Sequence, residues 1–329
     1  MQHDNAIGLS SLDVSGYDQL NDGLAKTVFV IPSVNGARLL ERMLPTLKIP
    51  SHIIYVLDQG SDDATEAVCN KYDVNLVQLS SRRTYTECCN IALDIAIKQD
   101  AEYFFVSNND ITFITDVARE LLFEISLDPA LGILSCSQII TDEQRSNPIL
   151  SSRVFWNLEK VGFDHQTSIL ESDYYRLESD FCELTFAVMR TSAVSKVGGF
   201  DDKFGFYHED ADLGFRLREA GYTTAYLPQS QIEHFAGSTF RQGLDQARLK
   251  YIANSKRVFE QKHLGAGINY PELHSDIPSS WTIINKNLFG SLRSLGLIDQ
   301  SRPALTFSHP GERPFEYLYS VWETSILPK

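Results

Sequence analysis

Apolar residues arrive along this chain in short unbroken runs. Thr27-Val-Phe-Val-Ile-Pro32, His52-Ile-Ile-Tyr-Val-Leu-Asp58, Val74 to Leu79, Tyr103-Phe-Phe-Val-Ser107 and Leu131 to Cys136 are each of strand length. They lack the polar alternation of a half-exposed strand, so the pattern predicts strands buried on both faces. Between them the apolar spacing changes to three and four. Arg38 to Leu47 carries Leu39, Leu40, Met43, Leu44 and Leu47; Ala64 to Tyr72 and Thr84 to Lys98 follow; Asp116 caps a helix running to about Leu127. Strands alternating with helices predict βαβ units, an α/β fold with a mostly parallel sheet flanked by helices. Ligands of such sheets sit beyond the carboxyl ends of the strands. Three of those ends are polar, Ser33 to Asn35, Asp58 to Asp63 and Asn108 to Asp110, and are predicted to face one crevice.

After about residue 140 the rhythm breaks. Arg153 to Trp156 reads as extended, 164–179 as loop, Phe181 to Arg190 as strand, and Thr191 to Val197 as a short helix before a Gly198-Gly199 turn. Phe206 to Gly221 then begins with an acidic cluster and continues with Leu213, Leu217 and Ala220 at helical spacing. Gly221 stands where a helix end wants positive φ. Glu209, Asp210 and Asp212 therefore fall in a first helical turn. Thr223 to Leu227 and Gln231 to Phe235 read as two strands, Leu244 to His263 as a helix, and 264–329 has weak periodicity.

Composition narrows the function. The chain has 329 residues, 43% hydrophobic and 22% charged, with a net charge of −14. That balance disfavours a nucleic-acid surface, which needs clustered Lys and Arg, and an electrostatic membrane anchor. The five cysteines, Cys69, Cys88, Cys89, Cys136 and Cys182, include no Cys-x-x-Cys pair, so a reducing, cytosolic setting is expected without a disulfide framework. No apolar run reaches the length of a membrane span. Peripheral contact with the inner face of a membrane, and a homodimer, stay open.

Each candidate group has an ordinary structural explanation beside a chemical one. A carboxylate in a first helical turn, such as Asp210 or Glu209, has the fixed direction a general base requires; it also suits the helix dipole. Asp110, next to Asn109 at a strand end, suits Mg²⁺ or Mn²⁺, or starts a turn. His234 ends another strand and would ligate the same ion, or be structural. Asp58 would accept hydrogen bonds from a nucleoside, or cap the next helix. Gly60 allows close backbone approach, or makes a turn.

Order and spacing together resemble the family 2 glycosyltransferases of the GT-A fold, in their rhamnosyl- and galactofuranosyltransferase-like branch, from about Thr27 to Phe240. Val28-Phe-Val-Ile-Pro-Ser-Val-Asn35 is similar to the family's first strand and nucleotide loop, and Val56-Leu-Asp-Gln-Gly-Ser-Asp-Asp-Ala-Thr65 to its second. Asn108-Asn109-Asp110 resembles its Asp-x-Asp metal motif. Val197-Gly-Gly-Phe-Asp-Asp-Lys-Phe204, followed by His208-Glu-Asp-Ala-Asp-Leu-Gly-Phe-Arg-Leu-Arg-Glu-Ala-Gly-Tyr222, is the most specific part, and Ile232-Glu-His-Phe-Ala-Gly-Ser238 resembles its late histidine segment. The chain departs from the pattern at Val34, Gln59, Asn108 and the segment Ser80 to Tyr85.

The resemblance implies a GT-A domain over 26–263, with a leader at 1–25 and a C-terminal extension at 264–329. It implies inverting transfer from a nucleotide-diphosphate sugar to an acceptor hydroxyl, on a carbohydrate or lipid-linked glycan, in polysaccharide synthesis. Asp210 would be the base with Glu209 beside it. Pro32, Asn35, Asp58, Gly60, Asn90 and Asn109 would hold the nucleotide, and Asp110 with His234 a Mn²⁺ or Mg²⁺ ion. The competing expectations are a nucleotide- or carbohydrate-binding module on an inactive transferase fold and a glycoside hydrolase, which needs two opposed carboxylates.

Overall fold

Strand β1 (Thr27–Ser33) explains why its run is unbroken: Phe29 and Ile31 enter one core, Val28 and Val30 another, and all four are buried. The computed structural model describes residues 24–141, 149–151, 153–157, 162–166, 176–235 and 245–264. Of the expected leader only residues 24 and 25, and of the expected extension only residue 264, fall among them.

β1 is followed by α1 (Ala37–Met43) and a 3₁₀ turn (Leu44–Thr46), where Pro45 breaks the longer helix expected to Leu47. Next come β2 (Ile54–Asp58), α2 (Thr65–Lys71), β3 (Asn75–Gln78), α3 (Tyr85–Lys98) and β4 (Tyr103–Ser107). These are the βαβ units that the alternation predicts. β5 (Ile111–Phe113), α4 (Val117–Leu127) and β6 (Leu131–Thr141) follow. Then come β7 (Ile149–Ser151), β8 (Arg153–Asn157), β9 (Gly162–Gln166) and β10 (Leu177–Ser179). The later elements are β11 (Phe186–Arg190), α5 (Thr191–Lys196), α6 (Glu209–Glu219), β12 (Thr223–Phe235), α7 (Asp245–Phe259) and a π turn (Glu260–Leu264).

The main sheet runs β10-β12-β6-β11-β4-β1-β2-β3, with β5 on β12 and β7 on β6; β8 and β9 form a separate hairpin. β3, β2, β1, β4, β6 and β12 all point one way, because β11 is antiparallel to both of its neighbours, β4 and β6. The carboxyl ends of β1, β2, β4, β6 and β12 therefore share one edge. α1, α2 and α4 cover one face, and α3, α5, α6 and α7 the other. Phe29, Phe105, Phe113 and Phe186 stack in the first core with ring centroids 5.0–6.3 Å apart, each such pair contributing about 0.5–1.5 kcal/mol beyond burial. All five cysteines are buried free thiols.

Several expectations need correction. The stretch 164–179, expected as loop, includes the end of β9 and all of β10. The strand expected from Phe181 begins at Phe186, and the residues before it form an approach segment beside α6. The two strands expected at 223–235 are one, joined across a register shift between Leu227 and Gln231. β5 was not anticipated, and β6 runs past Cys136 to Thr141. Three-residue β5 is held by pairing to β12, an interaction at long sequence separation.

Candidate active site

The β1 and β2 ends lie side by side, with Ser33 in register with Asp58. Their polar groups largely satisfy one another. Asp58, 6% exposed, accepts from the Ser61 backbone N–H at 3.1 Å and from its hydroxyl. Asn35, at φ 48°, accepts from the Asp62 N–H at 2.9 Å, and its own N–H donates to Ser61 Oγ. Asp63 accepts from the Thr65 and Ala37 N–H groups; burial opposes its ionisation, but these bonds outweigh it and hold its pKa below the usual value. Pro32 is half-buried and leaves the β1 end without an N–H. Gly60 takes φ +79° with open space around it, a backbone turned outward that a side chain would strain.

Two of the expected nucleotide residues are engaged in joining segments. Asn109 donates to Ser33 Oγ at 3.0 Å, which ties the β4 and β1 ends together. Asn90, on α3, donates to the Phe200 carbonyl and to Asp202 and accepts from the Phe200 N–H, bracing the loop that follows α5. That loop turns on Gly198 and Gly199, both at positive φ.

Asp110 leaves β4 as a buried carboxylate, 5% exposed, and its Oδ1 accepts no hydrogen bond. Antiparallel pairing of β5 with β12 sets His234 opposite Ile111, and Phe235 N–H donates to the Asp110 carbonyl. This places His234 Nε2 3.5 Å from Asp110 Oδ1. A buried anionic oxygen with no donor is costly. A carboxylate oxygen beside an imidazole nitrogen suits Mn²⁺ or Mg²⁺ that takes its other ligands from water and phosphate. Among the described residues no group of three or more His, Cys, Asp or Glu could cage a metal. The pair thus fits an ion shared with a ligand better than a closed protein site.

The second cluster is at the start of α6. Tyr207 and His208 take φ 69° and 65°, left-handed values that are unusual for side-chain-bearing residues. Such strain persists where surroundings over-determine it, and here they do. Ser255 of α7 donates to the Phe204 and Phe206 carbonyls, Thr86 of α3 donates to the Gly205 carbonyl, and Phe206 stacks on Tyr85. His208 is buried, its Nδ1 has no partner, and burial lowers its pKa to about 4, so it is neutral at pH 7.

Glu209 is 6% exposed with Oε2 unpartnered; burial, and then the Asp210 charge, push its pKa well up. Asp210 is half-buried and accepts from the Ala211 N–H; burial raises its pKa to about 6 despite that bond. A neutral glutamic acid beside a carboxylate poised near 6 is a workable acid–base pair.

Asp212 does something else. It is fully buried and paired with Lys262 at 2.7 Å, His263 at 2.8 Å and Arg216 at 2.8 Å. These bonds outweigh the burial penalty and lower its pKa. It pins α6 to the turn after α7 and does not share in the Asp210–Glu209 pair. Arg216 and Arg218 pair with Asp212 and Asp180, not with Asp210.

Sequence reasoning missed Glu183 and Gln138. Glu183 precedes β11, where burial and then the Asp210 charge raise its pKa to about 8. Gly214 lets α6 approach this segment: a Cβ there would meet the Asp180 carbonyl and Phe181 Cβ at 2.6 Å. Gln138 Nε2 donates to Glu183 at 2.9 Å, and its Oε1 lies 3.1 Å from His234 Nδ1. Asp110, His234, Gln138, Glu183 and Asp210 thus form one continuous run of interacting polar groups. The only signal for Glu183 was an acidic residue inside an apolar run.

Comparison with known proteins gives the family. Residues 116–312, more than half of the chain, match the family described as "Glycosyl transferase family group 2". The match includes Glu209, Asp210 and His234 and begins after Asp110. An N-acetylglucosaminyl-diphospho-decaprenol L-rhamnosyltransferase of Mycobacterium tuberculosis is 46% identical over 55 residues, 16% of this chain and 18% of that protein. Rhamnosyltransferase WbbL of Escherichia coli K12 is 30% identical over 131 residues, 40% of this chain and 49% of that one. The O-antigen chain rhamnosyltransferase RfbN of Salmonella typhimurium is 22% identical over 223 residues, 66% and 68% of the two chains. The chain thus spans under a fifth of the first of these relatives and about half of the second. In fold it is similar to GalNAc-T7, solved with UDP, GalNAc and Mn²⁺, at a TM-score of 0.56 and 13% identity over 92% of this chain and 58% of that one.

Proposed function

The chain belongs to glycosyl transferase family group 2, and on that premise we propose that it transfers a sugar from a nucleotide-diphosphate sugar to an acceptor hydroxyl with inversion at the anomeric carbon. The observation that carries the reading is the pair of unsatisfied clusters joined along one sheet edge: Asp110 with His234, and Asp210 with Glu209. Asp210, poised near 6, accepts the acceptor proton as the hydroxyl oxygen bonds to the anomeric carbon and the bond to the diphosphate breaks. Burial and the neighbouring Asp210 charge favour the protonated form of Glu209, which lowers the charge the pair must carry. The strained turn at Tyr207 and His208 fixes where that carboxylate points.

Asp110 and His234 are the residues that would hold Mn²⁺ or Mg²⁺, and the ion would neutralise charge on the leaving diphosphate. The 33–35 and 58–63 loops receive the nucleoside, with Pro32, Asn35, Asp58 and Gly60 shaping them. Asn109 ties the β4 end to Ser33 at the base of the first loop, and Asn90 braces the loop that follows α5.

The names of the relatives favour rhamnosyl transfer to a lipid-linked or O-antigen-type glycan; we place that reaction at the cytoplasmic face of a membrane. Among the described residues no helix is long and apolar enough to cross one. The test is nucleoside-diphosphate release from UDP-, GDP- and dTDP-sugars with Mn²⁺, Mg²⁺ or chelator, in wild type and Asp110→Ala. Release from one donor, abolished by chelator and by the substitution, is expected. A nucleotide that binds every preparation without turnover of any donor would favour a binding module.

A further inference from the structure

Gln138 lies on the part of β6 beyond Cys136, 2% exposed. Both ends of its carboxamide are occupied: Nε2 donates to Glu183 Oε2 at 2.9 Å, and Oε1 faces His234 Nδ1 at 3.1 Å. The amide is oriented by Glu183: the carboxylate, or the carbonyl oxygen of the neutral acid, accepts from Nε2–H. Oε1 is thereby left for the imidazole, and Nδ1 must carry the hydrogen that meets it. A neutral imidazole has one N–H. Its lone pair is then on Nε2, the nitrogen 3.5 Å from the unpartnered Asp110 Oδ1. The other tautomer would direct a hydrogen at Asp110 and could not ligate.

We propose that Gln138 is a positioning residue for the cation half of the site: its amide oxygen fixes the His234 tautomer that leaves Nε2 free for a cation, while its amide N–H is held by the Glu183 carboxyl. The inference rests on the reading of Asp110 and His234 as cation ligands, and its first observable does not require that reading. Groups that fix a ligating histidine typically carry a 10–100-fold share of metal affinity.

The experiment uses the metal-free full chain labelled with ¹⁵N-histidine, with His234 assigned by comparison with His234→Ala. NMR is expected to find Nδ1 protonated and Nε2 bare in wild type and in Gln138→Glu, which keeps an acceptor toward the imidazole. In Gln138→Leu the tautomers mix. Titration with Mn²⁺ alone, read by EPR, is expected to weaken about 10–100-fold in Gln138→Leu. In Glu183→Gln, which still accepts from Nε2, it stays within about twofold of wild type. An Nε2–H tautomer in wild type, or unchanged Mn²⁺ affinity in Gln138→Leu, would overturn the proposal. If Gln138→Leu does not fold, the wild-type tautomer and Gln138→Glu decide it. Correct tautomer and Mn²⁺ binding without turnover of any sugar nucleotide would instead count against the transferase reading and leave the role of Gln138 standing.

Discussion

The two loops at the β1 and β2 ends and the turn that opens α6 are both acidic, yet they handle charge in opposite ways. In the loops, Asp58, Asp63 and Asn35 spend their acceptors on nearby N–H and hydroxyl groups, and Asp63 stays ionised easily. Around α6 and the strand ends beside it, Asp110 Oδ1, Glu209 Oε2 and His208 Nδ1 are buried without partners, and Glu183, Glu209 and Asp210 all hold protons more tightly than usual. A satisfied carboxylate shapes a loop. An unsatisfied buried one costs stability and is retained where a substrate, ion or proton completes it. Asp212 sharpens the point, since it lies two residues from Asp210 and belongs to the satisfied class.

The comparison breaks most visibly by exchanging one carboxylate from each region. Asp210→Asn is expected to lower turnover by roughly 10²–10⁴, the range for a general base, with nucleotide binding by calorimetry unchanged. Asp63→Asn should lower thermal stability and leave turnover per folded molecule within about twofold. Equal losses of turnover in the two variants would erase the distinction.

Next in size is Asp212→Ala. It strands Lys262, His263 and Arg216 around a missing buried partner, and should cost about 3–5 kcal/mol in denaturant unfolding. Nearly unchanged stability would move Asp212 into the functional class.

The last variant tests the sign of the burial cost. The pKa of Glu183 rises from 4.5 to about 8 on folding, so the folded state binds its proton more tightly. Its contribution to stability is full below pH 4.5 and is lost as pH climbs toward 8. Glu183→Gln should therefore match wild type in melting temperature near pH 4.5 and exceed it by a growing margin up to pH 8. A constant offset would mean that Glu183 is not buried as a neutral acid.

Much of this was legible before the structure. β1, β2 and β4 announce themselves because burial on both faces leaves no polar position, and α6 because Leu213 and Leu217 recur at helical spacing. Asp110 and His234 were readable as polar residues ending apolar runs. What escaped depends on pairing between distant segments. β5 exists only through β12. Gln138 lay past the expected strand end at Cys136 until β6 extended beside β12, and Glu183 fell inside an expected strand that in fact begins three residues after it. The separation of Asp212 from Asp210 also needed three dimensions. Adjacent residues on a helix point about 100° apart, but only the docking of the turn after α7 reveals which one is sealed.

The most direct test of the contrast is the pH dependence of kcat/KM for nucleotide release in wild type and Asp210→Asn, which reports groups of the free enzyme. A raised carboxylate pKa means activity that grows as pH rises and levels off once the base is ionised. A midpoint near 6 is expected in wild type, and it should disappear from the residual activity of the variant. A midpoint at the ordinary aspartate value, or the same profile in both proteins, would contradict that expectation.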